Sequence, residues 1–153
     1  MNRRRIWLAV GTALVLFGCL QGTAMAKMVL WSAMKGRVLM NGRPAAGAVL
    51  VRNYSWHWKN EKGSDRTTAD TNGDFTFPAI EGSSLLGGLL PHQPVVEQVM
   101  KIEYQGKTYD AWAFFKYSYE NNSETKGAPI DVTCRLEAEL AVHGEVTTIC
   151  DFH

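Results

Sequence analysis

Apolar and polar positions alternate along most of this chain in runs of about seven residues, with turn residues between them. Residues 34–40 give the first clear strand pattern and residues 47–55 the second. Asn41-Gly42 after the first run tolerates the positive φ angles of a tight hairpin, and Pro44 fixes φ in the turn that follows. Residues 28–31 read as an edge strand ahead of them. In 54–58, alternation predicts that Tyr54, Trp56 and Trp58 share one strand face, with His57 opposite and a polar loop over 59–65. Residues 67–69 and 75–77 flank a turn over 70–74, and Phe75 and Phe77 fall on one face. Strand patterning returns over 99–104, 108–117, 130–136 and 145–150, with a turn at Gln105-Gly106 and a polar loop over 117–126. Trp112, Phe114 and Phe115 are assigned to an aromatic interior. Residues 136–142 fit either a short helix or a strand. The pattern predicts an all-β chain, a single antiparallel β-sandwich of about seven or eight strands with long loops.

One loop departs from hairpin length. Residues 81–94 carry Leu85, Leu86, Leu89 and Leu90 around Gly87-Gly88, closed by Pro91 and Pro94. Long loops in compact domains are usually either functional or mobile. These leucines either pack against the sandwich or stand exposed for a partner. The Tyr54, Trp56, His57, Trp58 segment poses the same choice, between sheet-packing aromatics and a binding surface of the kind tryptophan favours.

The N-terminus reads as an address. Arg3, Arg4 and Arg5 precede the uncharged apolar residues 6–20, and Ala24-Met25-Ala26 supplies a small-x-small cleavage site. Residues 1–26 are expected to be a signal peptide and 27–153 the domain, giving a periplasmic product. Leu16-Phe17-Gly18-Cys19 resembles a lipobox, so the alternative is a lipoprotein anchored through Cys19. Neither form keeps a transmembrane segment after processing. Of three cysteines, Cys134 and Cys150 then remain, and two cysteines in a small exported domain pair as a disulfide.

Charge and chemistry narrow the function. Sixteen Lys and Arg face 15 Asp and Glu; with Arg3, Arg4 and Arg5 removed the balance is 13 against 15, which argues against a nucleic-acid partner. No catalytic residue and no cofactor is assigned: no Gly-x-Ser-x-Gly elbow occurs, and Ser83-Ser84 has no recognisable base. His57, His92, His143 and His153 form no metal-spaced pair, so no metal is assigned. Asp65, Asp70, Asn72 and Asp74 lack the bidentate acid of a calcium loop and fit an Asx turn better.

Gly36, Val38, Asn41, Gly42, Pro44, Gly47, Ala48 and Val51, followed by Thr68, Asp70, Asn72, Gly73, Phe75 and Phe77, resemble the carboxypeptidase-regulatory-like, or transthyretin-like, sandwich family. The motif covers about a third of the domain and its residues are architectural. The tail of the purine-pathway hydrolases with this fold is missing, so that activity is not implied. In layout the chain is also similar to exported proteins of this fold encoded beside type VI secretion effectors. That resemblance implies a non-enzymatic periplasmic immunity protein, a toxin inhibitor whose partner is a secreted bacterial effector. The candidate contact residues are Tyr54, Trp56, His57, Trp58, Leu85, Leu86, Leu89 and Leu90. The alternative is a structural or accessory envelope module that binds carbohydrate or another envelope protein, with Trp56 and Trp58 as the carbohydrate contacts.

Overall fold

The computed structural model describes residues 27–153; the expected signal peptide, the Ala26 cleavage site and Cys19 lie outside them. Thirteen strands, several very short, make up the described residues. They are β1 (Lys27–Trp31), β2 (Met34–Met40), β3 (Arg43–Pro44), β4 (Val49–Trp56), β5 (Glu61–Thr68), β6 (Asp74–Phe77) and β7 (Ile80–Ser83). After a long loop follow β8 (Val96–Tyr104), β9 (Lys107–Lys116), β10 (Ile130–Arg135), β11 (Ala141–His143), β12 (Val146–Thr148) and β13 (Cys150–Phe152). No α-helix occurs among them, and residues 136–142 turn into β11.

Two sheets face each other. One is ordered β13-β10-β2-β3, with β6 also paired to β2; the other is ordered β11-β12-β9-β8-β4-β5, and β1 with β7 forms a separate ribbon. Alternate residues of each sheet meet in one core: Met34, Val38, Phe75, Phe77 and Val132 from the first, Leu50, Met100, Ile102, Trp112 and Phe114 from the second. Burying such side chains contributes roughly 1.5–3 kcal/mol each, which drives the two faces together. Asn41 (φ 50°) and Gly42 (φ 74°) form the expected hairpin turn, and the Asp70 carboxylate accepts bonds from Asn72 N (2.8 Å) and Asp74 N (2.9 Å), an Asx turn.

Several expectations are corrected. The sandwich is not wholly antiparallel, since β2 and β10 pair in parallel from Met34↔Ile130 to Arg37↔Thr133 and beyond. The chain reaches β10 only after passing through the other sheet, and such a crossover permits a parallel neighbour. Gly36 lies opposite Val132, and a Cβ there would sit 2.2 Å from the Val132 carbonyl oxygen, which explains glycine at that motif position. The polar run over 59–65 is not a loop: a 3₁₀ turn (His57–Lys59), closed by Asn60 at φ 50°, leads directly into edge strand β5, paired with β4 along its length. The same turn removes Trp58 from the face of Tyr54 and Trp56. Phe115 is 48% exposed rather than interior. Met100 pairs with Trp112 but Lys101 with Asp110, so Ala111 is a bulge residue that resets which side chains point inward.

The Cys134–Cys150 disulfide is present, joining residues directly opposite each other on β10 and β13. Closing a segment of 16 residues contributes about 3 kcal/mol in the chain-entropy model.

Candidate functional site

The predicted residues converge on one end of the sandwich but divide into two roles. Trp56, Val96, Lys116 and Glu61 form one row across the six-stranded sheet, marking the end where β4 and β9 stop and β5 and β8 begin. Trp56 is fully buried beneath it with Met28, Leu30 and Val96, so it serves the core. Tyr54 is half-buried, its hydroxyl donating to Glu61 Oε1 at 3.2 Å while its ring covers Gly63. Burial first, then Glu61, raises its pKa above the ordinary phenol value. His57 is exposed and Trp58 half-buried.

The leucine loop resolves as a fixed turn with its leucines outward. Leu85, Leu86, Leu89 and Leu90 are 59, 58, 75 and 49% exposed. Leu86 O accepts from Leu89 N (3.0 Å) and Leu90 N (2.8 Å), and Ser84 Oγ accepts from Gly87 N (2.9 Å) and Trp58 Nε1 (3.2 Å). The Trp58 ring stacks on His92 with centroids 3.9 Å apart. Trp56 Nε1 donates to Tyr119 Oη (2.8 Å), and Tyr119 donates to His92 Nε2 (2.9 Å). His92 Nδ1–H in turn donates to Leu90 O at 3.1 Å. This polarity follows because an indole N–H and a carbonyl each have one role, which fixes the imidazole tautomer between them. Trp58 and His92 therefore support the turn from below.

Beneath this end lies a charged network that the sequence did not disclose. Lys116 Nζ and Glu124 Oε2 are 2.8 Å apart, both side chains fully buried. Glu124 Oε1 also accepts from Ser32 N (3.0 Å) and Gln98 Nε2 (2.9 Å), and Oε2 accepts from Ser32 Oγ (2.7 Å). Lys116 further donates to Glu120 O at 2.8 Å. Burial by itself would raise the Glu124 carboxyl, but the charge and hydrogen bond of Lys116, with those of Gln98 and Ser32, outweigh it and hold it below the ordinary range. The network ties the loop after β9 to the β1–β2 junction. Arg52 plays a similar part nearby, fully buried, with Nε and Nη2 donating to Asp65 (2.9 and 2.6 Å), Nη2 also to Pro78 O (2.8 Å), and the guanidinium lying 4.1 Å from the Phe77 ring centre. Arg52 was legible only as an alternating position, and Glu124 and Lys116 only as polar residues, because Ser32 lies 92 positions from Glu124 and only the fold brings Asp65 onto Arg52. Among the described residues no three His, Cys, Asp or Glu side chains are placed to hold a metal ion, and no helix is long and apolar enough to cross a membrane.

The outer face of the six-stranded sheet is solvent-facing. Phe115, opposite Glu97, and Tyr117 (57% exposed) stand on it near the same end. A depression of about 410 Å³ over Asn53, Ser55, Lys62, Ser64, Glu97 and Val99 continues the face toward β5.

Fold and site together define a small disulfide-closed all-β sandwich with an apolar end. The chain belongs to the family described as a domain of unknown function (DUF6795), whose model matches residues 34–139. No curated protein matches it. Among solved structures, an alternative pilotin from the type II secretion system of Vibrio cholerae is similar at 14% identity over 74% of this chain and 98% of that one. Its TM-score of 0.32 is too low for fold or function to be carried over.

Proposed function

We propose that the protein is a non-enzymatic periplasmic binding protein, specifically an immunity protein that binds and neutralises a type VI secretion effector. The observation that carries the binding reading is the concentration of fixed, exposed apolar side chains at one end, above a sheet face open to solvent. The non-enzymatic reading draws support from the buried charges: Arg52, Lys116 and Glu124 are each engaged by internal partners and point away from solvent. The effector contacts we assign are His57, Trp58, Phe115 and Tyr117, aromatic groups of the kind that anchor protein interfaces. Leu85, Leu86, Leu89 and Leu90, predicted to share that surface, form its tip. The immunity role itself rests on the layout resemblance of the sequence.

Export of the chain in a susceptible strain is expected to protect it from an attacker delivering the effector encoded beside it. The Phe115→Ala/Tyr117→Ala variant should protect less while unfolding at the same temperature. Loss of the reading follows if the wild-type chain, exported and folded, gives no protection.

A further inference from the structure

The leucine tip differs from the rest of the apolar end in carrying no charged side chain; Ser83 and Gln93 flank it as its neutral polar residues. Between Gly82 and Val96 the sequence contains no Asp, Glu, Lys or Arg. Its side-chain polar groups nearest the leucines are already engaged: Ser84 Oγ by Gly87 and Trp58, and both His92 nitrogens by Leu90 O and Tyr119. What it offers outward is hydrocarbon, held in place by the turn beneath it. A protein interface pairs apolar anchors with directional polar contacts, whereas the boundary between headgroups and acyl chains takes up apolar side chains while the backbone of a turn stays hydrated.

The path of the chain supplies the second argument. β1 and β7 pair antiparallel with Lys27 opposite Ser83, so the polypeptide enters the sandwich beside the start of the leucine turn. Met28 packs under the turn, its Cε 2.8 Å from where a Gly87 Cβ would lie. The uncharged apolar residues 6–20 and Cys19 precede this point closely, and the eight residues from Cys19 to Lys27 span at most about 28 Å when extended. In the form anchored through Cys19, the lipid would hold the entry of the chain, and with it the leucine tip, within that distance of the membrane; after cleavage at Ala26 the tip would bind by itself. At the base of the turn stand Lys59, which donates to Ser83 O at 3.3 Å, and Lys27, paired with Glu81 at 3.0 Å. Trp58, His92 and Tyr119 lie at the same level. An apolar tip with amphipathic aromatics and lysines behind it matches the depth profile of a membrane interface.

From the charge-free turn and the entry of the chain beside it, we infer that Leu85, Leu86, Leu89 and Leu90 insert their side chains into the headgroup–acyl boundary of a phospholipid bilayer. This takes the leucine tip and Trp58 out of the effector contact, leaving His57, Phe115 and Tyr117 to that role, and does not require the effector reading. The tip orients the sandwich, with Phe115 and Tyr117 on its flank.

The test uses the full chain isolated from cells that export it, carrying Leu89→Trp, with vesicles of phosphatidylethanolamine and phosphatidylglycerol whose acyl chains bear bromine. Emission is expected to fall beyond the quenching of the wild-type tryptophans. A Val142→Trp variant, exposed on edge strand β11, should match wild type. Equal quenching in both variants, or none beyond wild type in either, overturns the inference. So does a tip protected by the effector but not by lipid. Protection of a susceptible strain reads the effector reading separately, so the two fail independently.

Discussion

Replacing Glu124 with alanine is expected to destabilise the protein by about 3–5 kcal/mol, the cost of leaving one member of a buried ion pair unpartnered. The magnitude follows from the geometry. Lys116 would keep Glu120 O and the long 3.4 Å contact to Ser32 Oγ but lose its counter-charge, while Ser32 N and its hydroxyl would lose their acceptor. For a domain of this size each kcal/mol corresponds to about 4 °C in midpoint, so a fall of roughly 12–20 °C is expected. Thermal and urea unfolding followed by tryptophan fluorescence, without reductant, would read it. The Lys116→Met/Glu124→Leu double variant should lose less than the sum of its single variants, because no isolated charge remains. The pH dependence has a definite sign. The folded carboxyl titrates below its unfolded value of about 4.3, so its contribution is complete above that pH and lost as pH falls through the native value. Wild type should therefore lose stability more steeply on acidification than Glu124→Gln. A Glu124→Ala midpoint within a few degrees of wild type, or additive losses in the double variant, would refute the network as described.

Three further outcomes are expected. Cys134→Ala/Cys150→Ala should unfold with about 3 kcal/mol less stability, and mass measurement after alkylation of the unreduced wild type should find neither of these thiols modified. Gly36→Ala should cost about 3 kcal/mol, because its Cβ would meet the Val132 carbonyl at 2.2 Å, with denaturant midpoint as the measure. Tyr119→Phe should cost about 1 kcal/mol and speed amide exchange at Leu89 and Leu90, since the link from Trp56 to His92 would be cut; unchanged exchange would detach that link from the order of the turn.

The elements visible in the sequence are those whose signals are local. Asn41-Gly42, the Asp70 turn, Phe75 with Phe77, and the strands of β2, β4 and β8 all depend on neighbours a few residues away, and each forms as expected. β5 was missed because its half-buried positions are Glu61, Gly63, Asp65 and Thr67, a pattern that alternates in burial but not in hydrophobicity. Phe115 was misplaced because the aromatic run was taken as interior throughout: beyond Ala111 the strand alternates regularly, so with Trp112 and Phe114 inward Phe115 faces out. The candidate end was partly legible: tryptophans and leucines marked it, but only the fold could separate buried Trp56 from the exposed leucines. The Ser32–Glu124 bonds join residues 92 positions apart, beyond any local pattern.

The parallel partnership of β2 with β10 has a consequence for how the molecule is made. Met34 must wait for Ile130, and its strand cannot be flanked on that side until nearly the whole polypeptide is available. The closing strand, stapled by a bond that a reducing cytoplasm disfavours, arrives later still. A chain made N-terminus first thus has little to hold this sheet shut until its last residues appear, and an oxidising setting is what lets the staple form.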